Sequence, residues 1–275
     1  MLYWATSQRS AYAMRTSSEF LVQAGNVSQE VRVLVAASLL KDWPLTRFQT
    51  GAALPASTKQ ALLAGRLTPV GSVEFLVDVM QQCGIPAPPP VSYPPELASF
   101  LKRDVRKVSA AEARQATEPV FLKPLQTKRF SGFVWQPGVP VGQLSDYDRE
   151  QGQLLAGLPD ACPLWLASPV GWLAEYRVYV LHRAIIGVAR YDAGDAAGSL
   201  DWQAVEKMVA RAGPNLPVAW ALDVGQMATG ETALVECNDA WSLGYYRDGN
   251  LPAAQYAEML VQRWRELATA EPRRQ

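Results

Sequence analysis

Two apolar stretches near the C-terminus, Ala221-Leu222-Asp223-Val224 and Leu234-Val235-Glu236-Cys237-Asn238-Asp239, carry acids inside runs whose composition reads as strand. Residues i and i+2 of a strand point to one face, so Glu236 and Asn238 project together while Cys237 turns away. If the neighbouring strand brings Asp223 alongside, three oxygen donors converge on one point. Such a set suits Mg²⁺, a hard cation held by a few protein oxygens together with substrate phosphates. The plainer alternative is a pair of hairpin strands whose polar side chains face solvent, where carboxylates usually lie.

The rest of the chain narrows the chemistry by exclusion. At 275 residues it can bury a full core, in one large or two modest domains. Formal charge is balanced, so no basic footprint for nucleic acid or an anionic membrane is expected. The three cysteines, Cys83, Cys162 and Cys237, form no C-x-x-C pair, which argues against a zinc site and fits a reducing compartment. His182 is the only histidine, so a Ser-His-Asp triad or a multi-histidine metal site would rest on one imidazole. Polar residues interrupt the N-terminal apolar runs, and none nears the roughly 20 residues of a spanning helix. A cytoplasmic protein is expected.

Residues 30–40 read equally as strand or buried helix, because Val31, Val33 and Val35 alternate while the run is long. Ser72 is a helix N-cap, with Phe75, Val79 and Met80 on one face and Gly84 as the stop. Six prolines between Pro86 and Pro95 make a stiff connector, which sets a domain boundary. A short helix is predicted over 97–103, and Ser109-Ala110-Ala111-Glu112 has capping-box spacing. Strands follow at 120–123, 131–135 and 164–167, with a helix at 146–155. A hairpin turning at His182-Arg183, a helix capped by Asp201, the acid-bearing strands and an amphipathic helix over 255–267 complete the chain. This order predicts α+β lobes with antiparallel sheets, not a regular βαβ array.

Basic residues form a second constellation. Lys123 ends an apolar strand and Lys128 follows in a polar loop; a lysine so placed can reach phosphate oxygens, or be a solvated surface residue. Neither a P-loop nor a Rossmann glycine fingerprint is present to cradle phosphate. Glu175 and Arg177 share a strand face. Arg177 either makes a cross-strand ion pair or neutralises a phosphate or carboxylate, with Arg190 on the next strand adding charge.

Taken in order, Lys123, Lys128, Arg177, Asp223, Glu236 and Asn238 resemble the ATP-grasp superfamily. The finer texture is similar to the subgroup related to the RimK amino-acid ligases of phages and bacteria. The matching segments are Val70-Gly71-Ser72-Val73-Glu74-Phe75, Phe121-Leu122-Lys123-Pro124, Lys128-Arg129-Phe130-Ser131-Gly132, Glu175-Tyr176-Arg177-Val178-Tyr179, and Val235-Glu236-Cys237-Asn238-Asp239 with Gly244-Tyr245-Tyr246. The resemblance implies two α+β lobes clasping ATP, at 96–167 and 168–275, after a smaller α/β N-terminal domain at 1–95. It further implies that Lys123 contacts ATP phosphates and that Lys128 belongs to a mobile loop over them. Trp165, Leu166, Ala167 and Ser168 match the hinge that holds adenine through its backbone, and Glu175 joins the nucleotide-binding set. Asp223, Glu236 and Asn238 match the Mg²⁺ ligands, and Arg177, with Lys128 and Arg190, the basic groups at the transferred phosphoryl. A further basic residue is expected on an earlier strand, either Arg106 or Lys107.

The reaction so implied joins a small-molecule or peptide carboxylate to an amine through an acyl-phosphate, using ATP and Mg²⁺. Asp239 is a candidate base for the amine, with a solvated turn as its alternative. Two rival functions are a phosphotransferase acting on a hydroxyl and a nucleotide-binding regulatory module without turnover. No residue cluster identifies the acceptor or the oligomeric state.

Overall fold

The computed structural model describes residues 19–126, 130–140, 143–192 and 199–269. Lys128 and Arg129 lie outside the described residues. The chain divides into two compact units, the first with described residues 19–87, 240–247 and 251–269 and the second with 88–239 and 248–250.

In the first unit β1 (Glu19–Gln23) lies parallel between β2 (Leu45–Phe48) and β3 (Leu67–Val70). Helices α1 (Gln29–Lys41), α2 (Ala56–Leu63) and α3 (Val73–Cys83) connect and flank the strands. The ambiguous run at 30–40 is α1: Val31, Leu34 and Ala37 are buried at helical spacing, while Val33 and Val35 are not. Ser72 caps α3, its Oγ accepting from Phe75 N–H at 3.3 Å, and Gly84 ends it at φ 70°. The C-terminal helix, α7 (Ala253–Thr269), packs in this unit: Trp264 joins Leu62, Phe75 and Val79 in the core, and its indole N–H donates to the Leu62 carbonyl at 3.0 Å.

The second unit holds two four-stranded antiparallel sheets. One runs β4-β7-β5-β6, from β4 (Val105–Ser109), β5 (Val120–Pro124), β6 (Phe133–Trp135) and β7 (Pro163–Ala167). Its apolar face, with Leu122 and Leu164, packs with Leu155 of α5 (Asp146–Gly157) and Ala110 and Ala113 of α4 (Ala110–Arg114). The capping box at Ser109 and Glu112 forms in both directions. The other sheet runs β11-β10-β8-β9, from β8 (Trp172–Leu181), β9 (Ala184–Arg190), β10 (Ala219–Met227) and β11 (Thr232–Asp239).

One face of this second sheet presents Val178, Val180, Leu222, Val224, Leu234 and Cys237. It buries them against Val205, Met208 and Val209 of α6 (Trp202–Ala212), which Asp201 caps, and against Leu97. Each such side chain contributes about 1.5–3 kcal/mol on burial. The short helix predicted over 97–103 is a 3₁₀ helix at Pro95–Phe100, begun by a proline whose fixed φ suits a first turn. Because α6 covers one face of the sheet, the side chains of Arg177, Asp223, Glu236 and Asn238 are left on the other. Among the described residues, no helix is long and apolar enough to cross a membrane.

Candidate active site

The pleat of the second sheet sets one row of side chains across three strands. Asp223 of β10 stands opposite Glu236 of β11 on one side and opposite Arg177 of β8 on the other. Ala221, the next residue of β10 on that face, stands opposite Asn238. The two carboxylates and the amide therefore meet on one face. Asn238 Nδ2 donates to Asp223 Oδ2 at 2.9 Å and to Glu236 Oε1 at 3.2 Å.

A bulge makes this possible. Asp223 pairs with Glu236 but Val224 pairs with Leu234, so Val235 is an extra residue on β11. Without it Leu234 and Glu236 would share a face. With it, Leu234 enters the apolar core and Glu236 the polar row.

The basic residues answer this row from two directions. Arg177 is buried, 8% exposed, and its Nε and Nη2 donate to the two oxygens of Asp223 at 2.8 and 2.7 Å. Lys123 of β5 reaches across from the first sheet to make an ion pair with Glu236, and its Nζ donates to Ser92 Oγ at 3.3 Å. Burial lowers the Lys123 ammonium to a pKa of about 8, with Asp223 opposing the shift. Complete burial likewise pushes the Cys237 thiol well up.

Lys123 belongs to a second row. It stands opposite Trp165 of β7, which stands opposite Lys107 of β4, and Lys107 Nζ lies 5.1 Å from the Trp165 ring centroid. Of the two candidates for the further basic residue, Lys107 thus shares the face of Lys123, whereas Arg106 pairs with Leu166 and turns to the other face. The Trp165 indole N–H is buried without an acceptor among the described residues. Leu166 is in the core, and Ala167 closes both ladders. Ser168 N–H donates to the Asp104 carbonyl at 3.2 Å.

Other expected residues stand apart from this convergence. Arg190 is opposite Tyr176, on the face away from Arg177, and pairs bidentately with Asp192 at 2.8 and 2.7 Å. Asp239 is in register with Trp220, so the pleat turns it away from Glu236 and Asn238. Glu175 does share the Arg177 face; burial raises its pKa, and it accepts from Tyr191 Oη–H at 2.9 Å.

Two residues of the connector and one just past it join the site, although from sequence that segment is a spacer. The Ser92 carbonyl accepts from Cys237 N–H at 2.8 Å, and Tyr93 packs edge-on against Trp165 with centroids 4.9 Å apart. Arg103, just beyond, donates to the Leu234 and Val235 carbonyls. A serine and a tyrosine set among prolines were the only signal.

Two solved structures resemble the chain in fold. D-cycloserine synthetase DcsG is 14% identical with a TM-score of 0.53, covering 90% of this chain and 100% of that one. The ATP-grasp ligase PsnB complexed with a minimal precursor is 12% identical with a TM-score of 0.51, covering 90% of this chain and 99% of that one. No curated protein matches the sequence. The ATP-grasp domain model for family 2 of the R-two-K clade matches residues 100–259, a span holding both sheets and every residue of the acidic and basic rows. That span exceeds half of the chain, and the protein belongs to this family of ATP-grasp domains.

Proposed function

We propose that this ATP-grasp protein is an ATP-dependent carboxylate–amine ligase. The observation that carries the reading is the meeting of Asp223, Glu236 and Asn238 on one sheet face with Lys123 reaching them from the other sheet. Two carboxylates and an amide are hard oxygen donors, a set that fits Mg²⁺. Asn238 presents Nδ2 to both carboxylates, so coordination requires its amide to turn over and offer Oδ1. Bound there, Mg²⁺ would supply charge neutralisation at the transferring phosphoryl group.

The chain's own residues supply the rest. Lys123 exchanges Glu236 for a phosphate oxygen, and Lys107 lies on the same face to extend the positive row. Arg177 holds Asp223 in place through its fork, so its charge acts on the phosphoryl group from behind that carboxylate. We assign Lys128 to the loop over the phosphates and residues 165–168 to the adenine edge, where Trp165 offers a buried N–H. The two sheets are the two lobes, parted after β7.

In the reaction a substrate carboxylate oxygen attacks the γ-phosphorus and the bond to the β–γ bridging oxygen breaks, giving acyl-phosphate and ADP. The amine nitrogen then attacks the acyl carbon, phosphate leaves, and the amine proton passes to solvent. Preorganised charge, not a covalent nucleophile, carries the barrier reduction. We place the protein in the cytoplasm, where its three free thiols would stay reduced.

The test is ADP release against panels of carboxylates and amines. Release that requires both supports ligation. Release with a hydroxyl compound alone would make the protein a phosphotransferase, and tight ATP binding with no release under any panel would make it a regulatory module.

A further inference from the structure

We propose that Arg103 is a positioning residue for metal binding: its guanidinium holds the bulge at Val235 that aims Glu236 into the acidic row. The inference rests on the reading of Asp223, Glu236 and Asn238 as metal ligands. β11 is an edge strand, and its bulge leaves carbonyls that the ladder does not satisfy. Arg103 Nη1 donates to the Leu234 carbonyl at 2.6 Å and Nη2 to the Val235 carbonyl at 3.0 Å, the two residues immediately before Glu236. Nη1 also donates to the Leu101 carbonyl at 3.1 Å, which ties the fork to its own loop.

The guanidinium is itself held in place. Its Cζ lies 6.0 Å from the Tyr93 ring centroid and 5.5 Å from that of Trp172. Trp172 in turn lies over Gly225 of β10, where a Cβ would come within 2.3 Å of the indole. Arginine suits this task and lysine does not, because two adjacent carbonyls need two donors at fixed separation. If the fork were lost, the bulge could relax or migrate along β11. A one-residue slip would return Glu236 to the apolar face.

The test uses the full chain with Arg103→Met and Arg103→Lys. In the metal-free proteins, amide exchange at Val235, Glu236 and Cys237 is expected to speed up at least tenfold over wild type, with β8 unchanged. Binding of an ATP analogue without metal is expected to stay within about twofold of wild type. The Mg²⁺ concentration giving half-maximal tightening of analogue binding is expected to rise about tenfold or more, the range for residues that orient metal ligands. Arg103→Lys is expected to fall between wild type and Arg103→Met. Wild-type exchange and Mg²⁺ dependence in a folded Arg103→Met would overturn the proposal, as would the same result in Arg103→Lys if the methionine variant does not fold. If wild type itself shows no Mg²⁺ dependence, the metal reading falls first, and the proposal with it.

Discussion

Glu236 is ion-paired with the Lys123 ammonium, and a cation at the acidic row would compete with that ammonium for the same carboxylate. Removing its charge separates them. Glu236→Gln is expected to lower the rate of ADP release by about 10²-fold or more, while far-ultraviolet circular dichroism stays that of wild type. Stability should fall by about 1–2 kcal/mol, because Lys123 is left with less counter-charge. Unchanged ADP release would remove Glu236 from the metal set. Lys123 also gives the free protein a pH signature. Its pKa of about 8 lies below that of an unfolded lysine, so between those values the unfolded chain binds the additional proton. Stability in chemical denaturation, with neither nucleotide nor metal, should therefore rise as pH climbs from 8 towards 10. Lys123→Met should flatten that rise; an identical slope in the variant would contradict the assignment. Strand periodicity alone put Glu236 and Asn238 on one face, whereas the place of Asp223 beside them was a condition that only the pairing of β10 with β11 meets. What sequence could not reach was the partner of each charge: that Arg177 faces Asp223, or that Arg190 turns away to Asp192, depends on register across strands.

Elements divide by how local their causes are. The caps at Ser72, Ser109 and Asp201 were readable because a side chain meets a backbone N–H two or three residues on. The bulge at Val235 was not, for it is a property of two strands paired. The connector misled for a similar reason. Its prolines fix the local path, but the use of Ser92 and Tyr93 is decided by β11 and Trp165, far along the chain. The hairpin at His182-Arg183 shows a local rule strained. Both residues adopt positive φ, 49° and 64°, as a two-residue primed turn requires and as neither favours. Replacing the pair by Asn-Gly is expected to stabilise the protein by about 1 kcal/mol, read as a higher denaturation midpoint with unchanged slope. A lower midpoint would show that the native side chains do more for the hairpin than their backbone strain costs.

For the whole molecule, the order of motifs carried more than any one of them. Lysines on one sheet and acids on another lie far apart along the chain, yet both fall inside the family's matched span. In the second sheet α6 covers one face, and the acidic row lies on the other, where Lys123 pairs with Glu236. The N-terminal unit, by contrast, gave little from sequence about a ligand, and the described apolar residues buried there build a core. On the proposed function, one triphosphate and its metal lie between the acidic row and the Lys123 row. Crystals grown with a non-hydrolysable ATP analogue and Mn²⁺ test it most directly, with anomalous scattering marking the ion. The manganese signal is expected within bonding distance of oxygens from Asp223, Glu236 and Asn238, with phosphates beside Lys123. A manganese ion elsewhere, or a nucleotide bound while Lys123 keeps its bond to Glu236, would contradict it.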